Sequence, residues 1–468
     1  MTDAKLTDFR MATQDVADED PLHRVHMIGI GGAGMGGIAE ILLDLGCRVT
    51  GSDLKESAIT RRLGKMGASI THTHEAANVA DCDIVVFSSA IKDDNPEMVA
   101  ARVARIPLIP RAGMLNELMR LRCGIAVAGT HGKTTTSGLL TSLMMKAGLD
   151  PTFVIGSPLN STGARARLGK GEYLVAEADE SDKSFLLLNP ILSIITNINA
   201  DHLVNYDGDF ERLRRTFLEF IHRLPFYGLA VLCLDDPGIA GLIPRISRPV
   251  LTYGIESNAN LRAHDIRQEE LVTYFTVSRR NRPDWVEVRL PMPGRHNVLN
   301  ALAAIGVAHK IGLSDEAIRN GLTNFKGIGQ RFQLSGEVEM GNRRVLLVDD
   351  YAHHPREITA TLQAARNAWP ERRIVVLFQP NRYTRVRDLF DEFSKVLADI
   401  DVLLLLDICA AGEAPIPGVD SRALGHAIRA RNKVDPILID NFEGLAPTPW
   451  FKSCATATCC LFLAPVAV

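Results

Sequence analysis

The chain has 468 residues, 46% of them hydrophobic and 23% charged, with a formal net charge of -3 at pH 7. That length exceeds what one core can serve and points to about three domains of ordinary globular composition. A balanced charge without a basic stripe excludes a nucleic-acid footprint, and no apolar run reaches the roughly 18 residues of a membrane span; neither partner is expected, and cytoplasm is the expected location.

Residues 1–21 open with MTDAKLTDFRMATQDVADED, acidic and without the apolar segment of a signal peptide, and read as a disordered leader. The first regular unit, 22–122, begins HRVHMIGIGGAGMGGIAEILLDLGCRVTGSDL. Here the pattern predicts a strand over Val25 to Ile30, a helix over Met35 to Leu45 and a strand over Arg48 to Ser52. Gly29, Gly31 and Gly34 stand at G-x-G-x-x-G spacing, and Asp53 ends the second strand. Such glycines let backbone amides approach a pyrophosphate, and the acid can accept from a ribose hydroxyl; the same residues also fit a tight turn that binds nothing. A further strand, DIVVFSSAI, ends in Ser88 and Ser89 near the same edge.

The second unit, 123–332, starts with the strand GIAVAGT and an amphipathic helix over Lys133 to Ala147. Its GTHGKTT corner is shorter than G-x-x-x-x-G-K, because residue 127 is Val where that pattern needs Gly. Amides of Gly129 to Lys133 can still nest an anion, Lys133 can reach β and γ phosphates, and the Thr134 hydroxyl can bind Mg2+; the rival reading is plain helix capping. YLVAEADESD ends a strand in carboxylates, and LSIITNINADHLVNY ends another in Asn, Asp and His. His202 alone fits a structural role, but its place at a parallel strand's C-terminal edge favours function. GLAVLCLDD and PVLTYGI continue the strands, 258–290 alternates like an antiparallel patch, and PGRHN opens a helix with His296 and Asn297.

The third unit, 333–468, repeats strand, polar turn and helix in RRVLLVDDYAHHPREITATLQAAR and again in RRIVVLFQPNRYTRVRDLFDEF. One turn carries Asp349, Asp350, Tyr351, His353 and His354, and the other carries Arg382 and Arg385, which suit either a carboxylate or phosphate or a solvated helix start. Cysteines lie at 47, 82, 123, 233, 409, 454, 459 and 460 without a CxxC pair; the first five sit singly in apolar runs, predicting buried reduced thiols.

Taken in order, GIGGAGMGGIAE, TGSD, GTHGKTTT, AEADESD, ADH, GRHN, DDYAHHP, FQP-x-RYTR and AAGEAPIPG resemble the Mur ligase family over about residues 22–425. The resemblance implies an α/β fold of three domains: Rossmann-like and UDP-substrate-binding, then a P-loop ATPase-type domain with an added antiparallel β patch, then a Rossmann-like domain on the amino-acid side. It implies ATP and Mg2+, with Mn2+ as an alternative, and the substrates UDP-N-acetylmuramate and L-alanine. UDP-substrate contacts map to Gly29, Gly31, Gly32, Ala33, Gly34, Met35, Asp53 and Ser88. ATP contacts map to Gly129, Thr130, His131, Gly132, Lys133, Thr134, Thr135, His296, Asn297, Asn300, Arg331 and Asp350. Lys133, Glu177 and His202 take the catalytic positions, Thr134, Glu177 and His202 the metal, and Tyr351, His353, Arg382 and Arg385 the sugar and amino-acid side. Closure of the third domain, with the two arginines as clamps, is expected to keep water from a reactive acyl phosphate. A sister ligase adding a recycled tripeptide is the nearest rival; an NAD-dependent oxidoreductase is the rival of another class and leaves the phosphate loop without a task.

Asn199 and Asn205 stand where the family usually has acids, and Asn381 where it commonly has His. The ending, FKSCATATCCLFLAPVAV, is unlike the family's terminal strand and glycine-rich turn, so the domain reads as aberrant after about 450. A codon choice exists for Ser453–Ala467 that, read two bases later, gives LRDGDVLLVSGAGS. A frameshift of that kind predicts a third domain lacking its last strand and helix, with an apolar tail exposed.

Overall fold

The computed structural model describes residues 23–340, 343–439 and 457–463; the leader lies outside them. The chain divides into two compact units, one of residues up to Arg262 with 278–283 and 299–322, the other of 263–277, 284–298 and the chain from 323.

In the first unit, β1 (Arg24–Ile28), β2 (Arg48–Ser52), β3 (Ser69–Thr71), β4 (Ile84–Phe87) and β5 (Leu108–Pro110) form a parallel sheet in the order β3-β2-β1-β4-β5. Strand order reverses at β1, so the crevice beyond Gly29 and Ser88 is a topological switch point, where open α/β sheets receive ligands. The helix Ala33–Asp44 follows the glycine turn and buries Met35, Ile38, Ile41 and Leu42.

The same unit holds β6 (Cys123–Ala128), β7 (Thr152–Val154), β8 (Ala166–Arg167), β9 (Tyr173–Glu177), β10 (Leu192–Ile195), β11 (Leu229–Cys233) and β12 (Val250–Gly254). They run β8-β7-β9-β6-β10-β11-β12, parallel except for β8. The helix Lys133–Lys146 is buried from Thr134 to Met144 on every face, not amphipathic as its pattern suggested. Its threonines and serines sit inside because their hydroxyls find partners there: Ser137 donates to the Lys133 carbonyl at 2.9 Å, and Thr136 to Asn300 Oδ1 at 3.2 Å. β13 (Leu261–Glu269), β14 (Val272–Arg279) and β15 (Arg282–Leu290) are sheet neighbours joined by two-residue loops, which only antiparallel hairpins permit.

The second unit carries β16 (Gln333–Met340), β17 (Arg343–Asp350), β18 (Arg373–Phe378), β19 (Val402–Leu406), β20 (Ile437–Ile439) and β21 (Ala457–Leu463), ordered β16-β17-β21-β18-β19-β20. The exposed tail expected from the C-terminal sequence is not what forms. ATCCLFL pairs in parallel with β17 on one side and β18 on the other, and Leu461 and Leu463 are fully buried with Val348, Val376, Phe378 and Leu405. A largely apolar run fits a central place in a parallel sheet whatever its family resemblance. Of the thiols expected to be buried, Cys47 and Cys233 are; Cys82, Cys123 and Cys409 are half-buried, and none of these five forms a disulfide.

Candidate functional site

β6 ends at Ala128 and the chain turns through Gly129 to Gly132 before the helix begins at Lys133. Gly132 has φ +82 and a Cβ there would lie 2.5 Å from Asn300 Oδ1, so only glycine serves. As the N-cap it offers no side chain to the first-turn amides. Not every amide of the expected nest faces a ligand, however. Thr130 donates its N–H to the Asn197 carbonyl at 3.1 Å and His131 donates to Asn197 Oδ1 at 2.9 Å, so these two amides of the expected nest are turned to protein acceptors.

Lys133 Nζ donates to the carbonyls of Gly129 (2.6 Å) and Thr130 (3.3 Å) and to Glu180 Oε2 (2.8 Å). Burial alone would depress this ammonium, but Glu180, Asp179 and Glu177 outweigh it and hold the pKa above its ordinary value. The side chain is therefore a permanent cation at neutral pH. Thr134 Oγ1 donates to Glu177 Oε2 at 3.2 Å, while Glu177 Oε1 accepts from Ser137 Oγ (3.3 Å) and the Gly156 amide (2.5 Å). Neighbouring hydroxyl and carboxylate oxygens suit a hard divalent cation. No cluster of three or more His, Cys, Asp or Glu side chains is placed to hold a metal among the described residues.

His202 occupies a left-handed backbone position (φ 56), its Nε2 3.6 Å from Asp201 Oδ2. Its segment is tied to the DESD loop: Asn205 Nδ2 donates to the Ser181 carbonyl at 2.7 Å, and the Tyr206 hydroxyl donates to the Glu180 carbonyl. The Asn199 main chain accepts the Thr130 hydroxyl on its carbonyl and returns its N–H to Thr130 Oγ1 at 2.9 Å, bracing the loop, while its side-chain Nδ2 donates to Asn197 Oδ1 at 3.2 Å.

At the first sheet's switch point, Gly32 and Ala33 are exposed, Gly34 lies beside the Arg111 guanidinium, and Met35 turns inward. Asp53 accepts the Gly31 amide at 2.9 Å on Oδ2, so one oxygen of the expected ribose acceptor already holds the turn. Ser88 donates its amide to the Ile28 carbonyl, and its Cβ sits 3.2 Å from the position of a Cβ on Gly29.

In the second unit Asp350, at the end of β17, is buried and accepts the amides of Phe332 and Ala352, each at 2.8 Å. Burial raises its pKa to about 6 despite the nearby Arg331. Arg331 stacks over the Tyr351 ring at 5.1 Å, and Tyr351 meets the His353 ring edge-on at 5.1 Å. His353 Nδ1 donates to the Tyr351 carbonyl at 2.9 Å, and burial lowers its pKa to about 4, leaving a neutral imidazole at pH 7. Glu357 accepts the amides of His353 and His354, capping the helix Pro355–Ala368. His296 is exposed at the start of the helix Arg295–Lys310; Asn297 on the same turn is buried and donates to the Pro293 carbonyl, and Asn300, which like Thr136 belongs to the first unit, accepts the Thr136 hydroxyl. Arg382 adopts φ 66 as the N-cap of the short helix Tyr383–Asp388, its N–H binds the Cys409 carbonyl at 2.9 Å, and Arg385 in that helix is buried. Glu413, from AAGEAPIPG, fixes that corner by accepting the Thr384 amide and hydroxyl at 3.0 and 2.7 Å.

Sequence reasoning missed Glu180, Asn197 and Glu413. The second acid of DESD could have flagged Glu180 as a counter-ion for Lys133, but nothing local marks Asn197 or Glu413 as loop braces.

Parallel sheets ending in a glycine–lysine corner, with a hydroxyl and carboxylate beside it, define a phosphate-loop type of α/β protein. Three family models match: the Mur ligase family catalytic domain over residues 24–122, the Mur ligase middle domain over 127–308, and the Mur ligase glutamate ligase domain over 330–447. The chain belongs to the Mur ligase family of ATP-dependent acid–amino acid ligases. Among solved structures it is similar to UDP-N-acetylmuramate–alanine ligase MurC from Thermotoga maritima, 27% identical with a TM-score of 0.79 over 95% of this chain and 96% of that one. It is similar to UDP-N-acetylmuramate:L-alanyl-gamma-D-glutamyl-meso-diaminopimelate ligase from Neisseria meningitides, 27% identical with a TM-score of 0.60 over 65% and 98%. It shares the fold of MurF from Thermotoga maritima solved with ADP, 18% identical with a TM-score of 0.60 over 89% and 91%. No helix among the described residues is long and apolar enough to cross a membrane.

Proposed function

We propose that this chain joins L-alanine to the lactyl carboxylate of UDP-N-acetylmuramate, with domains at about 22–122, 123–332 and 333–468. The observation that carries the reading is the cationic Lys133 beside the Thr134–Glu177 oxygen pair at one sheet edge. Similarity to the Thermotoga alanine ligase over nearly the whole of both chains supports the choice of amino acid.

A carboxylate is a poor electrophile toward an amine. In the first step a lactyl carboxylate oxygen bonds to the γ-phosphorus of ATP as the bond to the β-phosphate oxygen breaks, releasing ADP. The neutral amine of alanine then attacks the acyl carbon, phosphate leaves with the carbon–oxygen electron pair, and the amine's proton passes to solvent. Bringing two anions together requires cancellation of charge, which the Lys133 ammonium supplies along the phosphates. Thr134, Glu177 and His202 would hold Mg2+, which would supply further neutralisation of phosphate charge. Arg382 and Arg385 bind carboxylate groups by forked hydrogen bonds, and the UDP moiety lies against the Gly29–Met35 turn, Asp53 and Ser88.

Coupled ADP release with UDP-N-acetylmuramate and each amino acid in turn tests this. L-alanine should support turnover. Turnover only with the tripeptide would transfer the chain to the sister activity, and ADP release indifferent to the UDP-sugar would sink both.

A further inference from the structure

Glu97, on the helix Pro96–Val103, is a wholly buried carboxylate with no part in the chemistry above. Four side chains converge on it. Oε1 accepts from His26 Nε2 (3.2 Å) and Asn78 Nδ2 (2.7 Å); Oε2 accepts from Ser52 Oγ (2.8 Å) and His74 Nδ1 (2.7 Å). His26 Nδ1 is met in turn by Thr50 Oγ1 at 2.9 Å. Four donors around one group require an acceptor on every side, which a carboxylate provides and an amide cannot. These contacts also outweigh burial and hold the carboxyl down at about 2.

The network reaches the glycine turn most directly through Ser52. The Ser52 carbonyl accepts the amides of Gly29 (2.8 Å) and Ile30 (3.1 Å), and the adjacent Asp53 takes the Gly31 amide. Three consecutive amides of the turn thus hang on Ser52 and Asp53, and Ser52 hangs on Glu97. A misplaced turn amide forfeits an oriented hydrogen bond to a bound phosphate. We propose that Glu97 is a positioning residue for the UDP-sugar site: it anchors Ser52 and, through Ser52, sets the turn that receives the diphosphate. This role rests on the UDP-sugar reading given above.

Steady-state kinetics of Glu97→Gln, Ser52→Ala, their double variant and Asn78→Ala test it. Asn78→Ala also removes one donor from Glu97, but by a contact that bypasses Ser52. Expected are a KM for UDP-N-acetylmuramate raised about tenfold in each of the first two, with kcat and the KM for ATP within about twofold of the unaltered protein. The double variant should be no worse than either single, because both cut one path, and Asn78→Ala should lower the unfolding temperature while leaving that KM in place. An unchanged KM in Ser52→Ala, an equal rise in Asn78→Ala, or singles that multiply in the double would overturn the role. Should Glu97→Gln not fold, Ser52→Ala against Asn78→Ala decides alone. If the unaltered protein binds no UDP-N-acetylmuramate at all, the proposed function falls and this role with it.

Discussion

Glu97 and Asp350 are both buried carboxylates, yet their surroundings push them in opposite directions. Glu97 collects side-chain donors and ionises near 2, below its ordinary value; Asp350 has two amides and deep burial and ionises near 6, above its own. Linkage turns these into opposite slopes. The Glu97 contribution is present above pH 4.5 and is lost as pH falls through 2. The Asp350 contribution is present below pH 3.8 and is lost as pH rises through 6. Each shift corresponds to about 3 kcal/mol. Denaturant unfolding against pH should show that Glu97→Gln flattens the acid limb and Asp350→Asn the segment between roughly pH 4 and 6; a curve unaltered by Asp350→Asn would mean that group titrates normally. At Gly132, replacement by Ala forces a strained φ and a Cβ against Asn300, so nucleotide binding should weaken with a stability loss of about 1 kcal/mol or more. Equal ATP affinity by calorimetry would show that the loop adapts.

Among the elements, β21 decides whether the third sheet is continuous. β17 and β18 each pair with β21 and not with one another, so its removal separates the sheet into two ribbons. Leu461→Ala, at a position with no exposure, should cost about 2–5 kcal/mol in denaturant unfolding of the second unit. A change near zero would show that the strand does not fill the slot. The alternating and continuous apolar runs placed most strands within a residue or two, since period and turn residues are local properties. Two elements were misjudged for one reason. The helix after Lys133 has polar residues on all sides, and the chain end lacks the family's pattern, but neither local fact says what packs around a segment.

For the molecule as a whole, a ligand that binds only the folded state raises its stability by about 2.7 kcal/mol at a hundred times its dissociation constant. ATP with Mg2+ and UDP-N-acetylmuramate should therefore each raise the unfolding midpoint by several degrees. Lys133→Ala should abolish the first shift and leave the second. Loss of both would mean that the substitution unfolds the protein instead of emptying one site. The ordered motifs sufficed to name the family and to bring forward Lys133, Thr134, Glu177 and His202, because glycine turns, strand ends and charged residues at set spacings are written in consecutive positions. Which amides the loop retains for an anion, which carboxylate holds Lys133 before a phosphate arrives, how Glu97 supports a turn formed by residues 29–31, and where residues 457–463 insert were set by strand order. Each joins a donor to an acceptor far away in the chain, and only folding brings such pairs within hydrogen-bond reach.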